Sequence, residues 1–292
     1  MQLTVEILLF GLTLGGLYAM VAMGLTLQYG VARIMNLAYG EWLIAAAFGA
    51  WAAVTYLKLS PLVSLALALP LGFAVNWLVY QVLLTPLVRR TKAGPALEVD
   101  SLLATFGLLF VVQGVMLALF GGGYHSYGYL AEGVNVLGAQ ISLNRLVMFG
   151  LTVACTALII LFLARTRAGT AVRAVATAPG NAPLVGIDVR KVSALTFATG
   201  GALAAAGGVL ASMFLTFSAT MGVVFTMKAL IVIIMGGTGN VAGAIVAGLL
   251  LGMFETVVAR LVDPGLTLAS NYLLFLIILL WRPFGLFGRP VR

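Results

Sequence analysis

Leu143-Asn-Arg-Leu-Val-Met-Phe-Gly-Leu-Thr-Val-Ala-Cys-Thr-Ala-Leu-Ile-Ile-Leu-Phe-Leu-Ala164 runs directly into Arg165-Thr-Arg-Ala. An apolar run of this length meets the roughly 20 residues that a helix needs to cross the ~30 Å hydrocarbon core of a bilayer. The abrupt basic edge is how a cytoplasmic loop begins. The pattern repeats along the chain, with apolar runs at about 5–28, 36–57, 61–84, 100–120, 143–164, 192–217, 226–237, 239–261 and 268–283. Composition agrees: 62% of the residues are hydrophobic and 8% charged, whereas a soluble domain carries about a quarter charged residues to cover its surface. The expected fold is all-α, a polytopic membrane helix bundle of eight or nine hydrophobic segments with broken or re-entrant elements. No Pro/Ser-rich linker divides it, so residues 1–292 read as a single transmembrane domain.

The net charge of +8 is not a nucleic-acid signal, because the basic residues sit between apolar segments and are not interleaved with aromatics on one face. They act instead as topology signals. Arg89-Arg90-Thr91-Lys92, the stretch from Arg165 through Arg167 and Arg173 to Arg190-Lys191, and the tail with Arg282, Arg289 and Arg292 are all expected on the cytoplasmic side. The Gly-rich 121–142 loop, which holds His125 and Glu132 and no Lys or Arg, then faces outward. With 165–191 and the tail on one side, 222–262 must return to the side it left. It does so as a re-entrant element plus a helix or as a tight pair of spans, and the run 226–237, which contains Lys228, is too short for an ordinary span. The first apolar stretch lacks a basic n-region and is long enough to remain a span, so no cleavable signal is expected. One His and one Cys nearly exclude a metal site. Cys155 reads as a small core residue, and His125 as a surface histidine or receptor contact.

Two polar interruptions stand out. Met35-Asn36-Leu37-Ala38-Tyr39-Gly40-Glu41 joins the first two apolar runs. It is read either as a plain helix start, with Asn36 able to cap and Glu41 favoured by the helix dipole, or as a break at membrane depth that lines a solute route. Irregular backbone is tolerated at that depth only where protein or a water-filled cavity covers it. Met235-Gly236-Gly237-Thr238-Gly239-Asn240 is the second interruption, where three glycines in four residues break a helix. Unwound segments at corresponding places in the two halves of a transporter point to its solute site. The candidate pathway residues are therefore Asn36, Tyr39, Gly40, Glu41, Gly236, Gly237, Thr238 and Asn240. The clusters Gly11, Gly15, Gly16 and Gly200, Gly201, Gly207, Gly208 fit close helix packing. Glu255 is the most deeply placed carboxylate in an apolar run, where a charge is costly and often functional. Within the basic loop 165–191, Asn181 reads as the N-cap of a short helix with Pro183 in its first turn. Ala182, Leu184 and Val185 make that helix partly apolar, Gly186 ends it, and such a helix suits docking into a partner's groove.

Several ordered motifs together resemble the permease family of high-affinity branched-chain amino acid ABC transporters over nearly the whole chain. Gly15-Gly-Leu-Tyr18-Ala-Met-Val-Ala-Met-Gly24 looks like its opening helix, and Ile34-Met-Asn-Leu-Ala-Tyr-Gly-Glu41 like its Ile-Asn-Phe-Ala-His-Gly-Glu signature. Residues 173–199 resemble its cytoplasmic loop and following helix, 228–244 its late Gly-Gly motif, and 281–288 its C-terminal signature. The resemblance implies a permease domain in a bacterial inner membrane. It would pair with a second related permease chain or a copy of itself, with two cytoplasmic ATPase subunits and with a periplasmic solute-binding protein. ATP would be used by those partners and no cofactor held by this chain, which contains no G-x-x-x-x-G-K-[ST] phosphate loop. The ATPase-coupling residues it implies are Arg173, Asn181, Ala182, Leu184, Val185, Gly186, Ile187 and Asp188. Two departures are specific: Asn181-Ala182-Pro183 stands where importers commonly carry Glu-Ala-Ala, and Tyr39 stands in place of His, which argues against a proton-linked role there.

A membrane enzyme would need a convergent set of titratable groups, so the chain reads as a transport subunit. The other readings are a related permease for urea or short amides, an ion-coupled secondary transporter acting alone, and a membrane scaffold. The docking-like loop argues against the second of these, and the polar breaks against the third.

Overall fold

The computed structural model describes residues 2–91, 94–136 and 138–288; Lys92, Arg289 and Arg292 of the basic clusters lie outside them. The chain forms helices α1 (Gln2–Ala32), α2 (Tyr39–Leu57), α3 (Pro61–Val79), α4 (Thr85–Arg90), α5 (Pro95–Phe120), α6 (Leu143–Arg165), α7 (Arg167–Thr177), α8 (Val189–Ser212), α9 (Gly222–Gly236), α10 (Val241–Leu261) and α11 (Thr267–Trp281). A widened turn at Tyr80–Leu84 joins α3 to α4 into one long rod. Eight helices among the described residues are long and apolar enough to cross a membrane, so the chain is a multi-pass membrane protein. A small antiparallel hairpin, β1 (Gly133–Val136) with β2 (Ala139–Ser142), sits in the 121–142 loop.

Packing sorts the helices by side-chain size. The centre is α1 against α8 and α10, with α2 and α9 filling in, while α3, α5, α6 and α11 expose most of their surface. The central contacts are close because their seams are small: a methyl on Gly252 would strike the backbone of Gly15, and one on Gly208 the Leu43 carbonyl. Lipid offers no hydrophobic drive for helix association, so this approach of backbones is what holds the centre.

The two ends of the bundle differ as the charges require. Val31 at the end of α1 packs on Val172, Val175 and Ala182, and Ile34 packs against Leu84, Leu87 and Val88. The described parts of the first two basic segments therefore share one end, and Gly239 beside Gly30 with Gly285 beside Gly237 brings residues 282–288 there too. The hairpin loop is at the other, where His125 and Phe217 exchange backbone hydrogen bonds of 2.8 and 3.0 Å. The 222–262 stretch is a pair: an irregular segment, 213–221, leads inward from the hairpin end, α9 continues to the basic end, and α10 returns. At 15 residues α9 covers about 22 Å, which is why its apolar signal looked too short.

Candidate functional site

The first interruption lies inside the bundle. After α1 ends, residues 33–38 run back along it without helical bonding, and α2 begins where the Tyr39 hydroxyl donates to the Val21 carbonyl at 2.8 Å. Val21 is about 16 Å along the helix from the end of α1. With little water at this depth, each polar group must find a protein partner, and four helices supply them. Gln28 of α1 accepts from Asn36 Nδ2 at 3.1 Å and donates to the Phe197 carbonyl of α8 at 2.8 Å. Asn36 Oδ1 accepts from the Ala38 amide at 3.1 Å. The Thr105 hydroxyl of α5 accepts from the Leu37 amide at 3.1 Å and lies 3.0 Å from the Met35 carbonyl. The Thr226 hydroxyl of α9 accepts from the Gly40 amide at 2.8 Å and lies 3.2 Å from the Leu37 carbonyl.

Here the N-termini of α2 and α9 meet. Gly40 fits because any side chain would collide with the Gly222 carbonyl. Glu41, in the first turn of α2, is fully buried against Gly222, and neither carboxylate oxygen has a hydrogen-bond partner among the described residues. The positive end of the α9 dipole favours a negative charge at this point. Asn36 is not an N-cap: Ala38 holds that position, with no side-chain cap.

The second interruption sits at the basic end. Gly237 and Gly239 take positive φ values of 99° and 79°, and Gly239 approaches Gly30 of α1. Asn240 caps α10 by accepting from the Gly243 amide at 3.1 Å, and its Nδ2 donates to the Phe287 carbonyl at 3.2 Å. The Leu286 and Phe287 amides donate to the carbonyls of Met235 and Gly236 at 2.7 and 3.2 Å. Asn36, Tyr39, Gly40 and Glu41 therefore gather at one end of α9, and Gly236, Gly237, Thr238 and Asn240 at the other. The two ends of α9 are about 20 Å apart, and Asn36, through Gln28, reaches toward the Gly30 contact of the second break.

Between them is a cluster that the sequence reading did not assemble. Lys228 Nζ on α9 lies 2.7 and 2.9 Å from the Glu255 carboxylate on α10 and 2.6 Å from the Tyr18 hydroxyl on α1. Asn271 on α11 donates to Glu255 at 2.8 Å. The sequence carries a usable signal for this pair, since one cation and one anion in neighbouring apolar segments need each other. His125 is half-buried, its ring centre 4.6 Å from Trp51 and 5.2 Å from Phe48, so it seals the hairpin end instead of standing free on the surface.

In the basic loop 165–191, Ala182–Val185 forms a single tight helical turn closed by Gly186 at φ 77°. Asn181 holds the N-cap position but makes no side-chain cap bond. Its side chain therefore does not cap the turn as the sequence predicts; its backbone carbonyl accepts from the Leu184 amide at 3.1 Å instead. Ala182 is buried, Leu184 is 84% exposed and Val185 72%, and Ile187 packs partly against the cluster of Val31, Val172, Val175 and Ala182. Arg173 turns back to donate to the Leu163 carbonyl near the end of α6. Asp188 caps α8, accepting from the Arg190 and Lys191 amides at 3.0 and 3.2 Å; bonds from Lys191 first, then Arg190, hold its carboxyl below the usual range.

The pieces amount to a bundle with a buried polar break, closed at one end by aromatics and carrying an exposed apolar turn at the other. Residues 7–281 match the family model described as "Branched-chain amino acid transport system / permease component". The chain belongs to that family. It is 32% identical to the high-affinity branched-chain amino acid transport system permease protein BraD of Pseudomonas aeruginosa, over 96% of this chain and 94% of BraD. It is 28% identical to the corresponding protein LivH of Escherichia coli K12, over 96% and 94%. A probable branched-chain amino acid transport permease, LivH of Methanocaldococcus jannaschii, is 27% identical over 93% and 89%. No solved structure matches the chain. Membership makes the chain a transport permease, as its ordered motifs imply.

Proposed function

We propose that this permease is the membrane-spanning subunit of an ATP-driven importer of branched-chain amino acids, set in a bacterial inner membrane. It works with a second permease chain, related or identical, two cytoplasmic ATPase subunits and a periplasmic solute-binding protein. ATP is consumed by the ATPases; this chain holds no cofactor and has no nucleotide site of its own. The solute passes the broken segment 36–41, and the glycine break at 236–240 lets the cytoplasmic end of α9 move. The coupling surface is the turn 182–187 with Arg173 and Asp188. The observation that carries this reading is the pair Leu184 and Val185. Large apolar side chains held out from a cytoplasmic loop, beyond the hydrocarbon, mark a protein contact.

The test is uptake of labelled leucine by proteoliposomes holding the complete complex. Leu184→Asp should lower ATP-driven uptake by more than about tenfold, the scale expected for an interface anchor, and release the ATPases during purification. Uptake that proceeds without ATPases on an ion gradient, or that ignores Leu184→Asp, overturns the coupling. A complex that responds to urea or a short amide and never to leucine overturns the substrate.

A further inference from the structure

Most cations of this chain crowd the basic end of the bundle, so two arginines that meet at the hairpin end stand out. Arg145 is in the first turn of α6 and Arg260 in the last turn of α10. Both reach one ring: the Arg145 guanidinium lies 4.4 Å from the centre of Phe10 on α1, and that of Arg260 4.8 Å. Arg145 also lies 5.3 Å from the ring of Phe214, just past the end of α8. Sharing a ring keeps the two guanidiniums within about 9 Å of each other. The ring face attracts each cation, but it neutralises neither, and the two like charges repel.

The pair lacks an anion. Among the described residues the only ion pairs are Lys191–Asp188 and Lys228–Glu255, and the only arginine side chain that donates a hydrogen bond is Arg173. The acids nearest in sequence do not help: Asp263 accepts from the Gly265 amide, and Glu6, one turn before Phe10 on α1, pairs with neither arginine. Arg145 is half-buried and Arg260 exposed, so their forks of N–H donors are open to a ligand.

The surroundings narrow the anion. Both α6 and α10 pack on α1, and Phe10 lies between the side chains that they send to it. From Arg145 one stripe of α6 runs through Phe149 to Val153, and from Arg260 one stripe of α10 runs back through Val257 to Met253, each at helical spacing. All four are apolar, Val153 is 50% exposed, and both stripes lead from the hairpin end towards the middle of the membrane. Guanidiniums clasp phosphate oxygens, and apolar stripes beneath them suit hydrocarbon. We infer that Arg145 and Arg260 bind the phosphate of an anionic phospholipid in the leaflet at the hairpin end, with an acyl chain along Phe149, Val153, Val257 and Met253. The headgroup offsets the repulsion between the two cations and ties the start of α6 to the end of α10 across α1. This site is independent of the solute and of the polar break.

The test is lipid binding by the complete complex in a neutral detergent, titrated with dioleoylphosphatidylglycerol and read by native mass spectrometry. The unaltered complex should hold one more such lipid per copy of this chain than Arg145→Gln/Arg260→Gln does. Each single change should weaken that site by about tenfold, the scale of one charged hydrogen bond, and Arg260→Lys, which keeps the charge, should bind more tightly than Arg260→Gln. Dioleoylphosphatidylcholine, with the same tails and no net charge, should not compete. Arg260 is exposed, so its single variants decide the matter where the double change fails to assemble. The proposal is overturned if the variants bind phosphatidylglycerol as the unaltered complex does, or if phosphatidylcholine competes equally. Displacement of the lipid by millimolar inorganic phosphate would overturn it in favour of a soluble anion. Variants that keep the lipid but lose capture of the solute-binding protein would overturn it in favour of an acidic protein face.

Discussion

The two interruptions of this bundle begin alike, Ile34-Met35 and Ile234-Met235, and end as different structures. The first lies among helices and is closed by side chains: Gln28, Asn36, Thr105 and Thr226 each answer a backbone or amide group. The second lies at the basic end and is closed by backbone, with glycines at positive φ and the 286–287 amides meeting α9 carbonyls. The difference follows from the solvent. A break in hydrocarbon must import all its hydrogen-bond partners, whereas one near water can leave groups to the solvent and needs only a chain supple enough to turn.

The largest test concerns the helix between the two breaks. Lys228→Met or Glu255→Leu alone leaves an uncompensated buried charge and should destabilise the bundle by about 3–5 kcal/mol, while the double change should recover most of the loss. Thermal unfolding of the purified permease in detergent, read as a double-mutant cycle, decides it. Additive losses would mean that the pair does not pin α9 and that the breaks move independently.

A medium effect separates the breaks directly. Thr226→Val strands the Gly40 amide at depth and should cost about 1–3 kcal/mol. Asn240→Ala removes a cap beside water and should cost about 1 kcal/mol. Equal unfolding shifts would erase the distinction drawn from solvent.

The smallest effect is at Asp188, a helix start fully in water. Its carboxyl is held low by the Lys191 and Arg190 amides. Its contribution is thus complete above the ordinary carboxylate pKa and fades as pH falls through the lower, folded value. Asp188→Asn should flatten the acidic limb of a stability–pH curve slightly and leave the neutral region nearly unchanged. A shift confined to alkaline pH would contradict that sign.

Spans were legible in the sequence because they depend on local composition, long apolar runs with arginines between them, and so was the gathering of the basic loops at one end. The breaks were legible as places, since glycine triplets and an Asn beside a carboxylate interrupt an otherwise uniform pattern. Which residues meet was not. Lys228 and Glu255 are 27 positions apart, and only the packing of α9 on α10 brings them together. Asn181 misled for a local reason: its carbonyl carries the tight turn at 182–185, which leaves its side chain unused, while the capping carboxylate came seven residues later at Asp188.

The stitching of residues 286–287 onto the end of α9 has a consequence for biosynthesis. The Met235 and Gly236 carbonyls receive their amides from a segment translated only after α10 and α11. A nascent chain that has already threaded α9 through the translocon therefore holds an unfinished helix terminus until both later helices are inserted. The clasp is thus a late contact, closed only in a chain that already holds α10 and α11.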